Sequence, residues 1–127
     1  MENELYRQII ENYIQAYNNF ETDRMLDHMH EQVLFVNISG GAVNLTTHGI
    51  TELRNQAQSA KRLFSSRRQT VVSLRVNGNE AGVDIEFEGI LAVDFPDGRK
   101  AGSEIKLKGK SIFKFDGDKI IELKDIS

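Results

Sequence analysis

The chain contains no cysteine, so disulfides and thiolate metal sites are excluded and a reducing compartment suits it. No segment approaches the ~20 apolar residues of a membrane span. The N-terminal stretch MENELYRQIIENY is acidic and polar, without the apolar core of a secretory signal. A cytoplasmic protein with no membrane partner is therefore expected. Positive charge is also short: 16 Lys and Arg against 19 Asp and Glu, a net charge of −3. That balance argues against a nucleic-acid partner, which calls for a basic surface. Proline occurs once, at Pro96, within the turn-type run Pro96-Asp97-Gly98. Repeats, linkers and low-complexity stretches are absent. The 127 residues read as one domain, 1–127, of a size that buries roughly two-thirds of its unfolded surface.

Hydrophobic periodicity supplies the elements. Leu5, Ile9, Tyr13 and Tyr17 recur every four residues, with Ile10 and Ile14 widening the stripe of a first helix. Thr22 is the expected N-cap of a short second helix with Met25, Leu26 and Met29 on its apolar face. VLFVNIS, GG and AVNLTTH read as strand, turn and returning strand. Ile50, Leu53, Ala57, Ala60 and Phe64 predict a third helix. From Gln69 onward, alternating segments are separated by Asn77-Gly78, Pro96-Asp97-Gly98 and Asp116-Gly117, the pattern of an antiparallel meander. The expected class is α+β: a curved antiparallel sheet of about six strands packed against three helices from the N-terminal half.

Charge sets the register of one hairpin. With Asp94 opposite Lys100, Glu88 faces Lys106, Glu86 faces Lys108 and Asp84 faces Lys110. Each rung is worth roughly 0.2–1 kcal/mol, so these carboxylates read as a solvated ladder rather than a catalytic cluster. The opposite face then carries Val83, Ile85, Phe87, Gly89, Leu91 and Val93, with Leu107, Gly109, Ser111, Phe113 and Phe115 from the next strand.

The last hairpin decides the side on which Asp125 lies. A two-residue turn at Asp116-Gly117 pairs Phe113 with Ile120 and turns Glu122 and Lys124 inward. A three-residue loop pairs Phe113 with Ile121, Ser111 with Leu123 and Gly109 with Asp125. Burying Glu122 and Lys124 unpaired costs several kcal/mol, and a one-residue slip exchanges the faces. The second register is therefore expected, with Asp125 inward beside Gly109. Two readings of Asp125 follow, an acid/base group in a pocket and a solvated carboxylate at a fraying strand end.

YIQAYNNFETDRMLDHM, VLFVN, HGITELRN and GKSIFKFDGDKIIELKD together resemble the nuclear transport factor 2-like superfamily, in particular its SnoaL-like and ketosteroid isomerase-like group. The resemblance implies a cone-shaped, strongly bent sheet whose helix-closed concave face forms an apolar pocket. It also implies a homodimer. Tyr13 falls where ketosteroid isomerases place an oxyanion-binding tyrosine. Asn37 falls at the position of their aspartate base, and Ser111 at that of their protonated aspartate. An amide has no useful basicity, so the usual isomerase mechanism is not expected. KIIELKD resembles the end of the polyketide cyclases, which carry an acid/base aspartate where this chain has Asp125.

Asp125 and Tyr13 are therefore the expected catalytic pair, and Asn37, Phe35, His48, Ser111, Phe113, Leu123 and Phe87 the expected ligand contacts. The alternatives are a core tyrosine for Tyr13, a turn residue for Asn37 and a structural helix-start residue for His48. The expected partner is a small apolar carbonyl compound, undergoing isomerase- or cyclase-type chemistry without a cofactor, or bound without catalysis. His28 and His30 sit at a spacing that does not share a helix face, so no metal site is expected. Lys61, Arg62, Arg67 and Arg68 read as basic residues around a helix C-terminus.

Overall fold

Helix α1 (Glu2–Asn18) buries Tyr6, Ile9, Ile10, Tyr13, Ile14 and Ala16. The chain is seen here in a computed structural model that describes residues 2–127. Leu5, expected in the stripe, is exposed, and Tyr6 takes its place, stacked on Phe115 at 4.0 Å between ring centroids. Helix α2 (Thr22–Met25) is capped by Glu21, so Thr22 is its first residue and not its N-cap. Strands β1 (Met29–Ser39) and β2 (Ala42–His48) follow, then helix α3 (Ile50–Lys61) and strands β3 (Phe64–Asn77), β4 (Glu80–Leu91), β5 (Glu104–Asp116) and β6 (Lys119–Ile126). Gly40 and Gly41, both with positive φ, form the two-residue turn between β1 and β2.

Helix α3 ends one turn before Phe64, which opens β3 instead of closing the helix. Its ring packs edge-on against Phe87 at 5.5 Å, a contact that a continued helix does not offer. Arg67 and Arg68 consequently lie on a strand, with Arg67 buried and Arg68 exposed. Met29, expected on α2, opens β1.

The six strands form one sheet in the order β2-β1-β6-β5-β4-β3. Five neighbours meet in four antiparallel pairs and one parallel pair, since β1 and β6 run together in the same direction. The sheet is therefore mixed, where a purely antiparallel one was expected. Register shifts in β1, β3 and the β5–β6 pair bend it, because an extra residue in one strand increases local twist. The three helices cover its concave side, α1 against β3 and α3 against β1 and β2. The α+β cone of six strands and three helices is as expected.

The β4–β5 ladder has the expected register: Asp84 opposite Lys110, Glu86 opposite Lys108, Glu88 opposite Lys106. Asp84 is instead bonded by Ser73 and Arg75, at 2.6 and 3.1 Å. The strands stop at Leu91 and Glu104, so Asp94 and Lys100 meet at 3.9 Å in a loop rather than on a ladder rung. Val93 and Leu107, expected in the core face, are 40% and 44% exposed.

The last hairpin departs from both registers considered. Asp116 pairs with Lys119, a tight turn over Gly117 and Asp118. Phe115 pairs with Ile120, and then Lys114 pairs with Glu122, leaving Ile121 as the extra residue of a bulge. Beyond it Phe113 faces Leu123 and Ser111 faces Asp125. The two-residue turn forms one position later than expected, over Gly117 and Asp118 rather than Asp116 and Gly117, and the bulge then turns Leu123 and Asp125 inward.

Candidate functional site

Strand β6 is not an edge. It lies between β5 and β1, with Asp125 opposite Ser111 on one side and Asn37 on the other. Beyond it the Ser127 amide donates to the Ile38 carbonyl at 2.9 Å, and the Gly40 amide donates to Ser127 at 3.2 Å. The strand end that carries Asp125 is thus held on both flanks. Gly109 was expected opposite Asp125 across β5 and β6, but Ser111 takes that place. A Cβ on Gly109 would lie 2.7 Å from the Ile126 carbonyl oxygen, so the missing side chain makes room for backbone and not for a ligand.

Asp125 borders a cavity of about 400 Å³ that lies between α1, α3 and the concave sheet and is open on one side. Its walls include Phe35, Leu53, Ala57, Phe64, Ile85 and Phe87. In these apolar surroundings the carboxylate loses hydration, which pushes its pKa from 3.8 up to about 6. The Ser111 hydroxyl donates to Asp125 Oδ1 at 2.7 Å and pulls the other way, with the smaller effect. Asp125 is therefore poised to change charge close to neutrality, the condition that suits a general acid or base.

Tyr13 also lines the cavity, its ring edge-on to Phe113 at 5.7 Å. Burial raises its pKa well above the ordinary value, and the Asp125 charge adds to the rise. The expected pair is therefore together. Asn37, Phe35, Phe87 and Ser111 line the same cavity. The Asn37 amide donates to Asn44 Oδ1 at 2.8 Å instead of reaching Asp125.

Three expected contacts lie elsewhere. His48 is exposed, and its backbone N–H donates to Glu52 Oε1 at 2.8 Å at the start of α3. That is a helix-start function. Phe113 and Leu123 are fully buried, forming the core beneath the cavity rather than its surface. They point inward as expected but belong to the hydrophobic core, where Phe113 meets the Tyr13 ring of α1.

Tyr17 and Gln69 line the cavity and were not singled out from the sequence. Arg67, placed beside them, is 5% exposed. Its guanidinium carbon lies 3.8 Å from the Tyr17 ring centroid and 4.5 Å from that of Phe20. Its Nε donates to the Tyr17 carbonyl at 2.8 Å. The signal for Tyr17 was its four-residue spacing from Tyr13 on one helix face. Nothing in KRLFSSRR marks Arg67 as the buried cation. Among the described residues no cluster of three or more His, Asp or Glu is arranged to hold a metal ion, and no helix is long and apolar enough to cross a membrane.

A bent sheet closed by helices over one carboxylate-bearing apolar cavity is the architecture of the nuclear transport factor 2-like cone. Residues 10–123 match the SnoaL-like domain family, and the chain belongs to that family. Solved structures agree. A candidate polyketide cyclase from Xanthomonas campestris superposes with a TM-score of 0.85 at 16% identity, over 98% of this chain and 90% of that one. A candidate SnoaL-like polyketide cyclase from Jannaschia gives 0.75 at 15% identity, over 94% and 84%. TerC, crystallised with polyporic acid, gives 0.76 at 14% identity, over 96% and 90%. At these identities the likeness is one of fold. No curated protein matches the chain by sequence.

Proposed function

We propose that this protein binds a small apolar carbonyl compound in its cavity and catalyses proton transfer on it without a cofactor. The observation that carries the reading is Asp125: a carboxyl in an apolar cavity, with its pKa raised to about 6 and a neutral hydroxyl as its hydrogen-bond partner. The ionised carboxylate takes a proton from the carbon next to the carbonyl. The C–H pair becomes the C=C bond of an enolate, and the carbonyl oxygen takes the negative charge. A tyrosine hydroxyl of α1, from Tyr13 or Tyr17, donates to that oxygen. Asp125 then returns the proton to another carbon of the enolate, completing an isomerisation; in a cyclisation the enolate carbon instead bonds to a second carbonyl carbon of the substrate, whose C=O opens to an alkoxide, and Asp125 returns the proton to that oxygen. Asn37, Phe35, Phe87 and Ser111 shape the binding surface. The family and the candidate cyclases of the same fold support this reaction class.

The test uses the bicyclic ketone 2-tetralone in D2O, with loss of its α-protons followed by NMR. The protein accelerates exchange above buffer, and Asp125→Asn lowers the rate by about 100-fold or more. The wild-type rate rises with pH as Asp125 ionises and levels off above its pKa of about 6. A ketone that binds without accelerated exchange identifies a non-catalytic binding module instead.

A further inference from the structure

Arg67 is a buried cation, and among the described residues no carboxylate lies within ion-pair distance of it. Burying an unpaired guanidinium is costly. Its surroundings offset only part of this: the Tyr17 carbonyl, two aromatic faces, and the Met25 sulfur at 3.9 Å from Nη2. The Asp125 carboxyl is perturbed by burial and by Ser111, with no part played by Arg67. The cation is thus directed at Tyr17 and does not neutralise Asp125.

The geometry also immobilises Tyr17. The neighbouring Asn18 amide grips the backbone of Gln69 twice, its Nδ2 donating to the carbonyl at 3.1 Å and its Oδ1 accepting from the amide at 2.7 Å. With the Arg67 bond to the Tyr17 carbonyl, three hydrogen bonds clamp the C-terminal turn of α1 to β3. The Tyr17 ring is held between the guanidinium and Phe87, whose ring is edge-on at 6.5 Å, and the residue lines the cavity.

From this we infer that Tyr17 is the cavity's oxyanion donor, with Arg67 as its positioning and polarising residue, so that the site accepts compounds able to carry negative charge on a carbonyl or phenolic oxygen. The inference rests on the proposed proton transfer and assigns the donor within it. The electrostatics separate the two tyrosines. Burial raises the pKa of Tyr17 and the Asp125 charge adds to the rise, but the larger opposing effect of the Arg67 charge, with hydrogen bonds from Arg67 and Gln69, lowers it. Tyr13 is raised by burial and then further by Asp125, with only the last and smallest effect, from Arg67, in the lowering direction. A hydroxyl beside a fixed cation stabilises a developing oxyanion better than one beside a carboxylate, because little reorganisation is needed as charge appears. Asp125 acts on both hydroxyls, but it outweighs Arg67 at Tyr13 whereas Arg67 outweighs it at Tyr17, so Tyr13 is the poorer donor to an anion.

The probe is 4-nitrophenol, whose phenol and phenolate forms are distinguished by absorbance. It is titrated into Asp125→Asn, in which no carboxylate opposes the anion, and into that parent further carrying Tyr17→Phe, Tyr13→Phe, Arg67→Met or Arg67→Lys. The Asp125→Asn parent binds phenolate in preference to phenol. Tyr17→Phe and Arg67→Met each weaken phenolate binding about tenfold, the loss expected for one charge-assisted hydrogen bond, and leave phenol binding nearly unchanged. Tyr13→Phe has the smaller effect. In protein with 13Cζ-labelled tyrosine, Arg67→Met raises the titration midpoint of Tyr17, and Arg67→Lys restores part of the shift. A merely structural arginine does not move that midpoint.

The inference is overturned by no phenolate preference in the parent, by a larger phenolate loss in Tyr13→Phe than in Tyr17→Phe, or by an unchanged Tyr17 midpoint in Arg67→Met. If Arg67→Met does not fold, the two Tyr→Phe variants and Arg67→Lys decide the matter. Because the phenolate assay runs without Asp125, failed ketone exchange and a failed donor assignment are read separately.

Discussion

Replacing Asp125 by asparagine isolates the cost of its burial. In the folded protein its pKa is about 6, against 3.8 for the free group. Below pH 3.8 the carboxyl is protonated in both states and adds no penalty. As pH rises toward 6 the unfolded chain ionises while the folded one resists, so stability is lost across that window and then levels off. At about 1.4 kcal/mol per pKa unit the full loss is about 3 kcal/mol, an upper figure because the carboxyl opens onto the cavity. Between pH 4.5 and 7.5 the portion sampled is about 2 kcal/mol. The measurement is urea unfolding of wild type and Asp125→Asn across that range, taking the difference so that other titrating groups cancel. Asp125→Asn, which keeps an oxygen to accept from Ser111, gains about 2 kcal/mol on wild type as pH rises. A difference that stays flat, or that moves in favour of wild type, would falsify the desolvated carboxyl and with it the acid/base role.

Three further outcomes follow from single contacts. Ser111→Ala removes the hydroxyl that stabilises the Asp125 carboxylate, so the carboxyl 13C titration midpoint rises further above about 6; a fall contradicts the assigned bond. In Gly109→Ala the added Cβ meets the Ile126 carbonyl at 2.7 Å, and overpacking against backbone destabilises by about 1–3 kcal/mol in urea unfolding. The buried Thr22 Oγ1 has no hydrogen-bond partner among the described residues, so Thr22→Val raises stability by about 1 kcal/mol, read as a higher urea midpoint at unchanged slope.

Much of the fold was written in local pattern. The four-residue spacing of Ile9, Tyr13 and Tyr17 identified α1, and opposite charges set the β4–β5 register at Asp84, Glu86 and Glu88. The cost of burying Glu122 and Lys124 was the right argument for the inward side of Asp125, but its stated route, a three-residue loop, was wrong. A two-residue turn one position later, with a bulge at Ile121, sets the faces instead, and bulges leave no composition signal in a short strand. His48 was misplaced because Glu52 claims its backbone. Phe113 and Leu123 were placed on the correct face, but alternation does not tell a cavity wall from the core beneath it.

Periodicity, turn dipeptides and charge, taken alone, determined the element order, the α+β class and the inward face that holds Asp125, because each depends on residues near one another in the chain, while the cone shape came from the family resemblance. The tertiary structure alone decided the parallel docking of β6 against β1, which secures the strand end carrying Asp125. It also decided the burial of Arg67 against Tyr17, 50 positions apart in the chain. Both are contacts between distant segments, and no local propensity encodes which charge a folded chain will enclose.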